Sequence, residues 1–117
     1  MPRPIKRRKV CQMPVADTFI ANTTNSKSVV LTVDEYECLR LVDYQGFSQE
    51  ECAKYMQVSR ATAQLICDRA RRKLATALVG GYSIRIDGGD YRLCEGEESH
   101  CDCGGCQKHC LHKSDTV

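Results

Sequence analysis

Two helix starts stand eleven residues apart in this chain, and the interval between them fits a short helix, a tight turn and the head of a long helix. Ser48 is followed by Glu51 three residues on. In that pair each side chain satisfies the other residue's free backbone N–H, and Phe47 is placed to pack on Cys52 as a hydrophobic staple. The helix runs to about Met56, Gln57 and Val58 make the connection, and Ser59 is a good N-cap for a further helix that reaches Leu78 before Gly80 and Gly81 stop it. So short a connection suits helices crossing at about 90–120° rather than an antiparallel pair. Ala53 supplies the small residue such a crossing needs, and Cys52, Met56, Val58, Ala63 and Ile66 fall where the angle must close. On the long helix Ala63, Ile66, Ala70, Leu74 and Ala77 recur at steps of three and four and predict one buried stripe.

The opposite face is then free, and its chemistry suits a major groove. Ser59, Arg60, Ala61, Gln64, Leu65 and Asp68 are expected to face outward at the helix start. Arg60 can pair bidentately with guanine and Gln64 with adenine, Ala61 or Leu65 can pack on a thymine methyl, and Ser59 can hold a phosphate. Arg69, Arg71, Arg72 and Lys73 come later and suit phosphates, which set register rather than read sequence. One residue departs from the usual pattern: Gln57 stands where the turn commonly has glycine, and a left-handed backbone there costs about 1 kcal/mol.

Charge is distributed in blocks that the net charge of +2 conceals. Residues 1–13 carry five bases and no acid, residues 34–54 six acids against two bases, and residues 59–78 five bases against one acid. Separated basic blocks are what an oriented contact with a polyanion requires. Arg3, Lys6, Arg7, Arg8 and Lys9, among prolines at 2, 4 and 14, read as an extended arm able to enter an adjacent minor groove, with a short strand near residues 9–13.

Around this core the chain is read as mainly α: a three-helix helix-turn-helix core with a C-terminal β-hairpin and a Cys-rich tail. Residues 1–28 form the arm and a loop, 29–81 the helical unit, 82–93 the hairpin and 94–117 the tail. Thr32 with Glu35 opens the first helix, which runs to about Tyr44 and stops at Gly46. Residues 82–86 and 91–93 alternate with period two about Asp87-Gly88-Gly89-Asp90, the signal of a hairpin. Its register would set Arg85 against Arg92, either solvated or facing an anionic neighbour.

Nine cysteines is an odd number, and the basic N-terminus leads into residues 10–14 rather than a long apolar run, so no export signal is expected. Reduced thiols or metal ligands in a cytoplasmic protein are the expectation, with no membrane span. In the tail Cys101, Cys103, Cys106 and Cys110 stand with His100, His109 and His112. The spacing allows Zn²⁺, favoured by the histidines, or an iron–sulfur cluster; the alternative is a disordered tail that binds metal adventitiously. Cys38, Cys52 and Cys67 read as core or surface residues rather than ligands, and the core requires no cofactor.

Several separated blocks carry a family resemblance across residues 1–93. These are Met1-Pro2-Arg3-Pro4, Arg8-Lys9-Val10-Cys11, Val30-Leu31-Thr32-Val33-Asp34-Glu35, Ser48-Gln49-Glu50-Glu51, Val58-Ser59-Arg60 and Arg85-Ile86-Asp87-Gly88-Gly89-Asp90-Tyr91. They resemble the predicted DNA-binding proteins of domain-of-unknown-function family 134, also called uncharacterised protein family 0251. That family's helix-turn-helix is similar to region four of bacterial sigma factors. The resemblance implies binding to double-stranded DNA and transcription regulation, with Gln57 and the tail as departures. Competing readings are a metal-carrier or redox protein that uses the helices as scaffold, and an RNA-binding module. No paired carboxylates and no nucleophile with its base lie outside the tail, so an enzyme is not expected. A homodimer is the common state of such regulators, but no heptad seam marks one.

Overall fold

The computed structural model of the chain describes residues 7–24 and 27–94. Along them run β1 (Arg8–Val10), β2 (Thr18–Phe19), β3 (Ser28–Leu31), α1 (Val33–Leu39), α2 (Gln49–Met56), α3 (Arg60–Gly80), β4 (Ser83–Ile86) and β5 (Tyr91–Leu93). The reciprocal caps read from the sequence form at both Thr32 and Ser48. Beyond Leu39 the first helix widens into a π-helical turn, Arg40–Tyr44, in which the Gln45 N–H donates to the Arg40 carbonyl at 2.8 Å. Ser59 caps α3 by accepting from the Thr62 N–H, and Gly81 ends it in the left-handed conformation.

The strands overturn the expectation of a mainly α chain with a terminal hairpin. Helices and strands are mixed, with two sheets, β1-β5 and β2-β4-β3. β4 runs antiparallel to β2 and parallel to β3, while β5 pairs in parallel with β1 and not with β4. Parallel neighbours need a long crossover, and all three helices lie in the one between β3 and β4.

The hairpin fails because its glycines are used elsewhere. The Asp87 N–H donates to the Leu31 carbonyl and the Val33 N–H to the Gly88 carbonyl, each at 2.9 Å, so residues 87–90 lie over the start of α1. Gly89 has φ +102°, and a Cβ there would collide with Thr32 Cβ and Asp34 Oδ1. Arg85 and Arg92 accordingly do not face each other. Arg85 is in register with Thr18 and Val30, and Arg92 with Lys9.

Two clusters of buried side chains hold these elements. One joins the three helices through Cys38, Leu41, Cys52, Ala53, Met56, Ala63, Ile66 and Cys67, with Phe47 and Val58 packed against it. The other joins helices to strands through Val10, Leu31, Val33, Ala70 and Ile86. Of the predicted stripe on α3, Ala63, Ile66, Ala70 and Ala77 are buried and Leu74 is half-buried. Among the described residues no helix is long and apolar enough to cross a membrane.

Candidate nucleic-acid interface

The turn between α2 and α3 is built on the residue that departs from pattern. Gln57 sits at φ 63° and ψ 44°, the left-handed conformation that glycine adopts most readily. Its amide oxygen accepts a 2.7 Å hydrogen bond from Arg92 Nη2, so the side chain ties the turn to β5. The Val58 N–H donates to the Ala53 carbonyl at 3.0 Å and closes the corner at the small residue. These contacts fix where α3 leaves α2.

The first turns of α3 present the expected face. Ser59, Arg60, Ala61, Gln64, Asp68, Arg69 and Arg72 are exposed, and Leu65 is half exposed at 50%. Among the described residues the side chains of Arg60, Gln64, Arg69 and Arg72 make no hydrogen bond or ion pair. The first turn carries no acidic residue, which leaves its N-terminal dipole open to an anion.

Other residues of the predicted set are committed within the fold. Lys9 is buried at 1% exposure, with its ammonium 4.3 Å from the centre of the Tyr55 ring, so it belongs to the core rather than to a basic arm. Period two explains the inversion: β1 turns Lys9 toward α2 while it pairs with Arg92. Arg8 lies 3.5 Å from Asp90 and 3.9 Å from Asp34, pinning β1 to the loop over α1. Arg71 grips Asp43 with two nitrogens at 2.9 and 3.1 Å, and so braces α3 against the π-helical turn. Lys73 is likewise held by Glu35 at 2.7 Å. Arg7 is exposed, whereas Arg3 and Lys6 lie outside the described residues. So do His100, Cys101, Cys103, Cys106, His109, Cys110 and His112, the tail ligands read from spacing.

A group that sequence reading set aside comes together beneath this face. Cys38 on α1, Cys52 on α2 and Cys67 on α3 are fully buried, and their sulfurs lie within 4.8 Å of one another, close enough to hold a metal ion. Cys38 and Cys52 Sγ are 3.6 Å apart. Hydrogen bonds from Cys38 and Cys52 hold the Cys67 thiol well below its usual range, against the opposing effect of burial and with help from the Arg71 charge. Cys38 is pushed up by its hydrogen bonds to Cys52 and Cys67 and by burial. The available signal was one cysteine per helix on the faces that close the unit; each alone reads as a small apolar residue.

Comparison with known proteins agrees with the sequence blocks. The family model described as "Protein of unknown function DUF134" matches residues 1–94. A UPF0251 protein of Desulfitobacterium hafniense strain Y51 is 50% identical over 92% of this chain and 88% of its own length. A UPF0251 protein of Caldicellulosiruptor bescii is 46% identical over 96% of this chain and 73% of its own. One of Ruminiclostridium cellulolyticum is 38% identical over the whole of both chains. No solved structure matches. The chain belongs to the UPF0251 family, the one the DUF134 model describes.

Proposed function

We propose that this protein is a sequence-specific DNA-binding protein, and by its likeness to sigma-factor region four a transcription regulator, with residues 48–78 as its helix-turn-helix reading head. The observation that carries the proposal is the outward face at the start of α3, where Arg60 and Gln64 keep their hydrogen-bonding groups uncommitted among the described residues. In a major groove Arg60 takes guanine, Gln64 takes adenine, Asp68 accepts from cytosine, and Ala61 and Leu65 meet thymine methyls. Ser59 at the helix N-terminus, with Arg69, Arg72 and Arg7, takes phosphates. Arg8, Lys9 and Arg71 leave the contact set for the internal partners that hold them. A homodimer on paired half-sites is part of the proposal. So is a zinc ion or iron–sulfur cluster in the tail, carried by the cysteine spacing and checked by metal analysis of full chain purified without oxygen.

Selection from random duplexes followed by competition binding tests the reading head. The parent is expected to prefer its selected duplex over random DNA by about 4 kcal/mol or more. Arg60→Ala with Gln64→Ala should remove most of that preference, at about 1–3 kcal/mol for each bidentate contact. Arg72→Ala should weaken all sequences alike and lower the salt slope by about 0.9. A double variant that holds the selected duplex as tightly as the parent overturns the proposal.

A further inference from the structure

The cysteine cluster has a fourth sulfur. Met56 Sδ lies 3.8 Å from Cys38 Sγ and 3.8 Å from Cys52 Sγ, and those two thiols are 3.6 Å apart. A tetrahedral metal with metal–sulfur bonds of about 2.3 Å has sulfur–sulfur edges of about 3.8 Å. Those three sulfurs have the spacing of one face of such a tetrahedron, and Cys67 Sγ lies within 4.8 Å of both thiols, close enough to supply a fourth donor. All four side chains are fully buried.

We propose that Cys38, Cys52, Cys67 and Met56 form a buried binding site for a soft monovalent cation of the copper(I) class. The donor set decides the class. Among the described residues no carboxylate or imidazole belongs to the group, which gives the hard oxygen-seeking cations no donor there. Zinc in a closed structural site takes four donors from thiolate, imidazole and carboxylate, and here the fourth is a thioether. Copper(I) takes thiolate and thioether together. Each thiol that binds gives its proton to solvent, and the bound ion ties α1, α2 and α3 at a single point. The site stands whether or not α3 meets DNA.

The test uses the full chain, reduced and under nitrogen, with the competing tail thiols removed by Cys101→Ser, Cys103→Ser, Cys106→Ser and Cys110→Ser. Copper(I) is offered as its bicinchoninate complex, whose colour is lost when the protein takes the metal. The tail-substituted chain is expected to withdraw one equivalent and to unfold at higher temperature with copper than without. Met56→Leu conserves volume and keeps the fold. It should weaken copper uptake by more than the roughly tenfold that loss of an outer-shell partner costs. Cys67→Ala should abolish uptake. If Cys67→Ala does not fold, the Met56→Leu comparison decides alone. Copper left with bicinchoninate, or drawn as strongly by Met56→Leu as by its parent, overturns the site and reduces the four sulfurs to packing. Zinc retained as tightly as copper, read with a zinc-responsive dye, overturns the assignment to a soft monovalent ion.

Discussion

Gln57 carries two opposed effects on one side chain. Its left-handed backbone costs about 1 kcal/mol relative to glycine. Its bond to Arg92 returns a similar amount, since a hydrogen bond to a charged group is worth about 1.5–3 kcal/mol and one exposed to water less. Gln57→Ala keeps the backbone strain and loses the bond, so it is expected to destabilise the protein by about 1–2 kcal/mol in urea unfolding. Gln57→Gly loses the same bond but relieves the strain, and should fall within about 0.5 kcal/mol of the parent. Equal losses in both variants would mean that the left-handed turn carries no strain. The possibility of such a turn was legible from position alone, because a three-residue connection between helices crossing at about 90–120° must turn the chain sharply. Its compensation was not, because Arg92 lies 35 residues away and reaches Gln57 only once β5 has found β1.

Elements set by local chemistry were legible and those set by distant partners were not. The caps at Thr32, Ser48 and Ser59 act within three or four residues, and each helix begins where its cap predicts. The alternation of β4 and β5 also marked strands correctly, but alternation names no partner. Asp87-Gly88-Gly89-Asp90 suits a hairpin turn and equally suits a loop whose carbonyl must approach a helix N-terminus closely. The capped start of α1 takes it: Gly88 accepts from Val33, and Gly89 packs on Thr32 and Asp34. The two glycines therefore differ in a measurable way. Gly88→Ala places its methyl in open space and should cost only the backbone term, about 1 kcal/mol. Gly89→Ala adds a collision with the start of α1, and overpacking of that kind costs a further 1–3 kcal/mol, roughly. A hairpin with both glycines in a solvent-facing turn would give the two variants equal losses, so chemical denaturation of the pair separates the two arrangements.

At the scale of the whole molecule, the two sheets draw the ends of the described chain over the helices. β1 and β5 pair in parallel, and the Cys94 N–H donates to the Val10 carbonyl at 2.8 Å just beyond the last strand. This pairing buries Val10 against Leu31 and Ala70, holds Lys9 on Tyr55 and presents Arg92 to the turn before α3. The candidate reading face thus depends on residues near position 10 and near position 92, which no local pattern links. The family match ends at residue 94, where this closure is complete. Two truncations test the dependence. A chain ending at residue 94 keeps β5 and the Cys94 bond, whereas one ending at residue 90 strips β1 of its partner and exposes a fully buried valine. Uncovering that side chain alone costs about 1.5–3 kcal/mol. The shorter chain should therefore be less stable than the longer by several kcal/mol once the strand's hydrogen bonds are included, at about 1 kcal/mol each. Hydrogen exchange should find the loss of protection spreading from residues 8–10 to the turn at residues 57–59, because Arg92 goes with β5. Equal stability of the two chains, with the turn equally protected in both, would detach the reading face from the sheet and leave Gln57 to hold the corner unaided.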